Sequence, residues 1–159
     1  MFKIGDKAVY PGHGVGEIKA IEKKDIMGSN QEFYIFLTRE SGMTIMIPRA
    51  NTKTVGLRKL VNADEIPRVF EILKKKKIKV VNQTWNKRYK LFHDKIKGGS
   101  IFEIAEVLRD LILISSNKDL SFGERKMMDT AKNLLVNELA LATAKKEQSV
   151  EEKIENIFV

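Results

Sequence analysis

The chain contains 159 residues, of which 43% are hydrophobic, with no cysteine and a formal net charge of +8. The missing cysteines exclude disulfide frameworks and thiolate metal sites, and the length allows one good hydrophobic core, or one small domain and one medium one. The polar start, and the lack of any apolar run near the ~20 residues that span a bilayer, lead us to expect a cytoplasmic protein without a membrane contact.

The first sixty residues carry the pattern of short β-strands. Strands are predicted at 7–10, 15–26, 32–38, 43–47 and 54–57, with turns at Pro11-Gly12-His13-Gly14, Gly28-Ser29-Asn30 and Ser41-Gly42. Proline fixes one backbone dihedral and glycine allows positive φ, which is why these residues favour turns. Five closely spaced strands in so short a segment are typical of a small Tudor-like or SH3-like barrel.

From about residue 61 the apolar residues recur at helical spacing, and five helices are predicted. The first begins near Asp64 and accommodates Pro67 in its first turn, where a proline does not break a helix. The second runs from about Trp85 to Lys97 and is ended by Gly98-Gly99.

Three Ser-x-x-Glu capping boxes predict the starts of the remaining helices, at Ser100, Ser121 and Ser149. The helix that follows Ser121, at about 122–145, is predicted to be the longest. The sequence therefore predicts an α+β protein, with a Tudor/SH3-like β-barrel in residues 1–60 and a five-helix bundle in residues 61–159.

Residues 68–97 concentrate the positive charge. This segment holds eleven of the 29 basic residues but only two of the 21 acidic ones, and it contains the lone tryptophan, Trp85. Positive charge around a large flat ring suits a polyanion whose bases can be stacked on or separated, so nucleic acid is the predicted partner. Each part also has a simpler explanation, because lysines at 74–77 suit a solvated helix end and tryptophans are more often core residues.

Catalytic or metal-binding chemistry finds little support in the sequence. His13 and His93 lie in different predicted domains without a partner at helical spacing, and they are more simply a turn residue and a polar-face helix residue. The Gly12-x-Gly14-x-Gly16 pattern lacks the spacing of a dinucleotide-binding fingerprint, and no helix follows it. We therefore expect a binding protein that is not an enzyme and uses no metal or cofactor.

Several sequence blocks, in the same order, are shared with one protein family. They are Phe2-Lys3-Ile4-Gly5-Asp6, Val9-Tyr10-Pro11-x-His13-Gly14, Ile45-Met46-Ile47-Pro48, Trp85-Asn86-x-Arg88-Tyr89-Lys90, Ala105-Glu106-Val107-Leu108-Arg109-Asp110-Leu111, Leu120-Ser121-x-Gly123-Glu124-x-Lys126-Met127 and Glu138-Leu139-Ala140-Leu141-Ala142. On these blocks the chain resembles, over essentially its full length, the CarD/CdnL transcription regulators of bacteria. The N-terminal blocks alone also resemble the polymerase-interacting module of the transcription-repair coupling factor, which carries helicase motor domains that this sequence does not contain.

The resemblance implies a division of labour between the two domains. The N-terminal Tudor-like domain would dock on the β subunit of RNA polymerase, and the helical domain would contact promoter DNA at the upstream edge of the opening bubble. Trp85 matches the family's tryptophan, which acts as a minor-groove wedge beside the −10 element. Basic residues that match family positions would contact phosphates near it, namely Lys87, Arg88 and Lys90 with Arg125, Lys126 and Lys132 extending the patch.

The resemblance also suggests residues for the polymerase-binding surface. Lys24 falls where some family members have an arginine that contacts the β subunit, and Ile26 lies beside it. A second such arginine corresponds to Met46, so this chain lacks a charge at that point. Addition of an exposed strand edge to a partner's sheet would be one docking mode.

Taken together, these features predict a monomeric, nucleoid-associated regulator that binds polymerase and stabilises the promoter open complex. The alternative is a free-standing basic nucleic-acid-binding protein that uses the same helix without polymerase. A pull-down with core polymerase separates the two, because only the first requires that partner.

Overall fold

A computed structural model of the chain describes residues 2–76, 84–98, 100–116 and 118–158. The chain divides into two compact units, Met1–Leu60 and Val61–Val159. Lys77 and Lys79 of the basic segment, and Gly99 of the predicted helix end, lie outside the described residues.

The first unit is built on a five-stranded antiparallel sheet with the strand order β4-β3-β2-β1-β5. Its strands are β1 (Lys7–Tyr10), β2 (Gly14–Ile26), β3 (Ser29–Thr38), β4 (Thr44–Pro48) and β5 (Arg58–Lys59). Ile18, Phe36 and Ile47 come from neighbouring strands and are almost completely buried in one core with Tyr34. A Tudor-like N-terminal domain is consistent with this sheet.

The strand predicted at 54–57 is wrong. A 3-10 turn at Arg49–Asn51 and a short helix, α1 (Thr52–Val55), occupy this region instead, and the fifth strand follows at Arg58–Lys59. The Thr52 hydroxyl donates to the Arg49 carbonyl at 2.8 Å, and Gly56 ends the helix with a φ of 76°. Local hydrogen bonds thus override the β-propensity of the branched residues in this segment.

The second unit is helical. Its helices are α2 (Ile66–Lys74), α3 (Trp85–Gly98), α4 (Ile101–Ser115), α5 (Phe122–Thr143) and α6 (Glu147–Ile157). The described residues therefore contain six α-helices rather than the five predicted, because α1 lies in the first unit. Pro67 occupies the first turn of α2, where the predicted helix had placed it.

The three capping boxes behave differently. Ser121 is the N-cap of α5, and its hydroxyl accepts a hydrogen bond from the Glu124 backbone N–H at 3.2 Å. Ser100 is the N-cap of α4 but makes no capping hydrogen bond with its side chain. The third prediction is wrong, since α6 begins at Glu147 and Ser149 lies inside it.

The core of the helical unit forms around α4. This helix packs against α2, α3 and α5, while α6 covers α5 and α2. Ala105, Val107, Leu108 and Leu111 of α4 are fully buried, as expected for a helix with neighbours on several sides. Within the described ranges, no helix is both long enough and apolar enough to cross a membrane.

Candidate functional site

Helix α3, which carries much of the basic segment, has two stripes of residues spaced by four. Residues four apart lie on the same face of a helix, so each stripe faces one direction. Arg88, Phe92 and Ile96 form the buried stripe, which packs towards α4 and α5. The exposed stripe is formed by three aromatic residues, Trp85, Tyr89 and His93.

Arg88 is a structural residue. It is only 3% exposed, and its guanidinium Nε and Nη2 both lie 2.9 Å from Oε2 of Glu124, which is equally buried. A buried arginine held by a carboxylate in this way has no surface to present to phosphate. The predicted phosphate contact of Arg88 does not fit this burial, since the pair joins α3 to the first turn of α5.

Trp85 lies on the surface at the start of α3. It is 44% exposed, and its indole Nε1–H donates a hydrogen bond to the Ser121 hydroxyl at 3.0 Å. The Tyr89 ring stacks on it, with centroids 5.3 Å apart and ring planes inclined by 22°. The core interpretation of this tryptophan does not hold, because an open ring with a satisfied N–H is typical of a contact surface.

Four basic residues of α3 and of the first turns of α5 lie on the surface. Lys87, Lys90, Arg125 and Lys126 are all exposed. Arg125 also donates from Nε to the Leu120 carbonyl at 3.2 Å, so its position is fixed from within the domain. None of the three lysines has a carboxylate within salt-bridge distance among the residues that the structure describes, which leaves their charge available to a polyanion.

Lys132 belongs to a different environment. Its ammonium lies 2.9 Å from Glu151 and 3.0 Å from Glu155, both on α6, and the two carboxylates raise its pKa above the usual value. The lysine therefore joins α5 to α6, and its charge is already compensated. The prediction that Lys132 extends the DNA-binding patch does not fit this arrangement.

Two residues of the site were not predicted from the sequence. Phe122, the first residue of α5, is 84% exposed and directly follows the serine that binds Trp85. Tyr89 was not predicted to contact Trp85. The i, i+4 spacing on a predicted helix was the signal that could have identified Tyr89, whereas nothing in the sequence distinguished Phe122 from an ordinary core residue.

The predicted polymerase-binding residues lie on the sheet of the first unit. The Lys24 ammonium lies 3.8 Å from the Met46 sulfur, so the structure brings these two side chains together. Ile26 is exposed at the end of β2, where β2 and β3 extend beyond the core as a hairpin arm. Met46 is also exposed and belongs to β4, one of the two edge strands of the sheet.

The histidines show no sign of metal binding. His13 packs edge-on against Tyr10, with centroids 4.7 Å apart, and His93 stacks beside Tyr89. In the part of the chain that the structure covers, no three His, Asp or Glu side chains are grouped as a metal ion would require.

Comparisons with known proteins match both units. Residues 2–61 match the model described as the CarD-like/TRCF RID domain, and residues 68–155 match that described as CarD, C-terminal domain. The chain is 38% identical over 139 residues to YdeB of Bacillus subtilis (strain 168), whose name assigns it provisionally to the transcription factors, and the match covers 87% of this chain and 90% of YdeB.

Two solved structures from Myxococcus xanthus also match part of the chain. CdnLNt is 51% identical, and the match covers 38% of this chain and 86% of CdnLNt with a TM-score of 0.34. The 72-residue N-terminal domain of CarD is 32% identical, and the match covers 37% of this chain and 79% of that domain with a TM-score of 0.33.

Proposed function

This chain belongs to the CarD family of transcription factors, and we propose on that premise that it stabilises the promoter open complex while bound to RNA polymerase. The first unit binds the β subunit of polymerase, and the helical unit binds promoter DNA near the −10 element. Neither role includes a chemical step, so the protein acts by binding alone.

The observation that carries the proposal is the exposed indole of Trp85 at the start of α3, a helix that also carries the exposed Lys87 and Lys90. An apolar ring that enters the minor groove offsets lost base stacking, and it does so most favourably where the bases already separate. The upstream edge of the transcription bubble is such a place. Trp85 therefore acts there as a wedge that slows closure of the bubble.

Phosphate contacts position this wedge. Lys87 and Lys90 lie on α3, the helix that begins with Trp85, and Arg125 and Lys126 lie in the first turns of α5. Basic side chains on phosphate fix the register of a protein on DNA without reading its sequence. This proposed DNA-binding face omits Arg88 and Lys132, since both are bound by carboxylates of the same unit.

Polymerase binding is proposed for the surface formed by Lys24, Ile26 and Met46. The match of residues 2–61 to a domain shared by CarD and the transcription-repair coupling factor supports this assignment. Strand β4 lies at the edge of the sheet and offers backbone N–H and C=O groups to a strand of the partner. Lys24 supplies a charge beside that edge, since its ammonium lies 3.8 Å from the Met46 sulfur, and Ile26 supplies an apolar contact at the end of β2.

The proposal is tested with the full chain, core polymerase with its initiation factor, and a promoter fragment. We expect the protein to bind core polymerase in a pull-down and to lengthen the lifetime of the open complex after a competitor is added. Binding to promoter DNA that is equally strong with and without polymerase, together with an unchanged lifetime, would favour the free-standing nucleic-acid-binding alternative.

A further inference from the structure

We infer that Ser121 and Tyr89 are positioning residues that fix the Trp85 ring in one orientation before DNA binds. The inference rests on the proposed function for its importance, because the orientation matters only if Trp85 contacts DNA. The orientation itself is a property of the free protein and is tested separately.

Ser121 uses the whole hydrogen-bonding capacity of its hydroxyl. The oxygen accepts from the Trp85 indole N–H at 3.0 Å and from the Glu124 backbone N–H at 3.2 Å. Its own O–H lies 3.3 Å from Oε1 of Glu124, to which it can donate. A hydroxyl has one donor and two acceptor sites, so all three are occupied.

These contacts form a connected hydrogen-bond network between α3 and α5. Trp85 binds Ser121, Ser121 binds Glu124, and the other oxygen of Glu124 binds Arg88, which lies one turn after Trp85 on α3. The Arg88–Glu124 part is buried, so the turn that carries Ser121 is held firmly against α3. The buried ion pair thus fixes the acceptor that orients the exposed ring.

Tyr89 covers one face of the Trp85 ring. The two rings are nearly parallel at 5.3 Å, in the range of offset stacking. A Cβ built at Gly123 would lie 3.7 Å from Cζ2 of Trp85, so the indole edge that carries Nε1 and Cζ2 lies against α5. Because Tyr89 covers one face, only the other face of this 44% exposed ring is left to stack on a base, and Trp85 cannot insert between two bases with both faces.

Pre-orientation favours binding because the ring loses less conformational freedom when it meets DNA. Ordering a side chain at an interface opposes association, and a side chain held beforehand avoids part of that cost. Losing one neutral hydrogen bond that orients the ring should shorten the lifetime of the open complex about three- to tenfold.

Fluorescence of the single tryptophan reports on its orientation in the free full-length protein. We expect Ser121→Gly and Tyr89→Leu each to lower the anisotropy of Trp85 and to shorten the open-complex lifetime. Glycine is a tolerable N-cap that lacks the hydroxyl, so circular dichroism should show that α5 persists in Ser121→Gly. Ser121→Thr keeps the hydroxyl and Tyr89→Phe keeps the ring, so both should retain the wild-type anisotropy and lifetime.

Unchanged anisotropy in Ser121→Gly and Tyr89→Leu would overturn the inference, since Ser121 would then be a helix cap only. Lower anisotropy with an unchanged lifetime would also overturn it, provided that Trp85→Ala shortens the lifetime. If Trp85→Ala leaves the lifetime unchanged, the proposed wedge function fails, and the anisotropy alone then decides whether the ring is positioned.

Discussion

The two stripes of α3 have the same spacing, but one is buried and the other is exposed. Arg88, Phe92 and Ile96 turn inward, and the arginine is neutralised by Glu124. The other stripe turns outward and carries three rings, at positions 85, 89 and 93. An aromatic stripe would ordinarily be expected in the core and an arginine on the surface. This inversion supports the proposed role of the exposed rings in binding.

The strongest test of the inward stripe removes Arg88. We expect Arg88→Ala to lower the free energy of unfolding by about 3–5 kcal/mol, because Glu124 would remain buried without its partner. Urea denaturation monitored by circular dichroism measures this loss. Wild-type stability combined with weaker DNA binding would show that Arg88 contacts DNA and is not required for the fold.

A double variant sharpens this result. Arg88→Met with Glu124→Leu replaces both charges by apolar side chains of similar size, which is often neutral or stabilising for a buried pair. We expect it to recover most of the stability that Arg88→Ala loses. Failure to recover it would mean that the charges make further contacts which the fold requires.

The outward stripe is tested by Trp85→Ala. We expect the fold to persist, because the ring is largely at the surface, and the open complex to lose about 1–3 kcal/mol of stabilisation, the usual effect of removing a stacking aromatic. The lifetime of the open complex after competitor addition measures it. A variant that unfolds at low temperature while its folded fraction keeps full activity would place Trp85 in the core.

The surface lysines of α3 are tested through the salt dependence of binding. Lys87→Gln with Lys90→Gln should flatten the log–log slope of affinity against salt by about 0.9 for each lost phosphate contact in duplex DNA. The effect should be equal for different flanking sequences, since phosphate contacts do not read bases. Lys74→Gln with Lys75→Gln removes the same charge from the end of α2, and this control should change the slope less.

The smallest effect is expected for Lys132. Its contacts with Glu151 and Glu155 are partly exposed, so Lys132→Met should change the free energy of unfolding by only about 0–1 kcal/mol and leave the salt slope unchanged. Thermal unfolding and the same salt titration measure both. A flatter slope would show that Lys132 contacts DNA despite its two carboxylate partners.

The sequence predicted the exposed tryptophan but not the direction of its neighbours. Helical spacing places Arg88 in line with Phe92 and Ile96, and this alignment was the available signal for its burial. Its partner Glu124 lies 36 residues away, and sequence periodicity contains no information on which distant helix supplies a carboxylate. The family resemblance assigned Arg88 to DNA together with Lys87 and Lys90 for the same reason, because it matches residues without their packing.

Short sequence patterns were also insufficient to predict the structure elsewhere in the chain. Ser121 and Ser149 both satisfy the capping-box pattern, but only Ser121 caps a helix. Helix α6 begins at Glu147, with Lys146 as its N-cap. This start places Val150 and Ile154 in the core. The capping-box pattern therefore predicts a helix start only where the helix that begins there can also bury its apolar residues.

The position of β4 at the edge of the sheet has a consequence for the solubility of the protein. Among the described strands, β4 pairs with β3 alone, so its outer backbone groups could template aggregation with a second copy. The strand has only five residues and ends at Pro48, which has no N–H to donate. A ladder of hydrogen bonds added along this edge is necessarily short, which disfavours self-templated fibre growth in the concentrated protein. A partner that adds a strand here would derive its specificity from side chains.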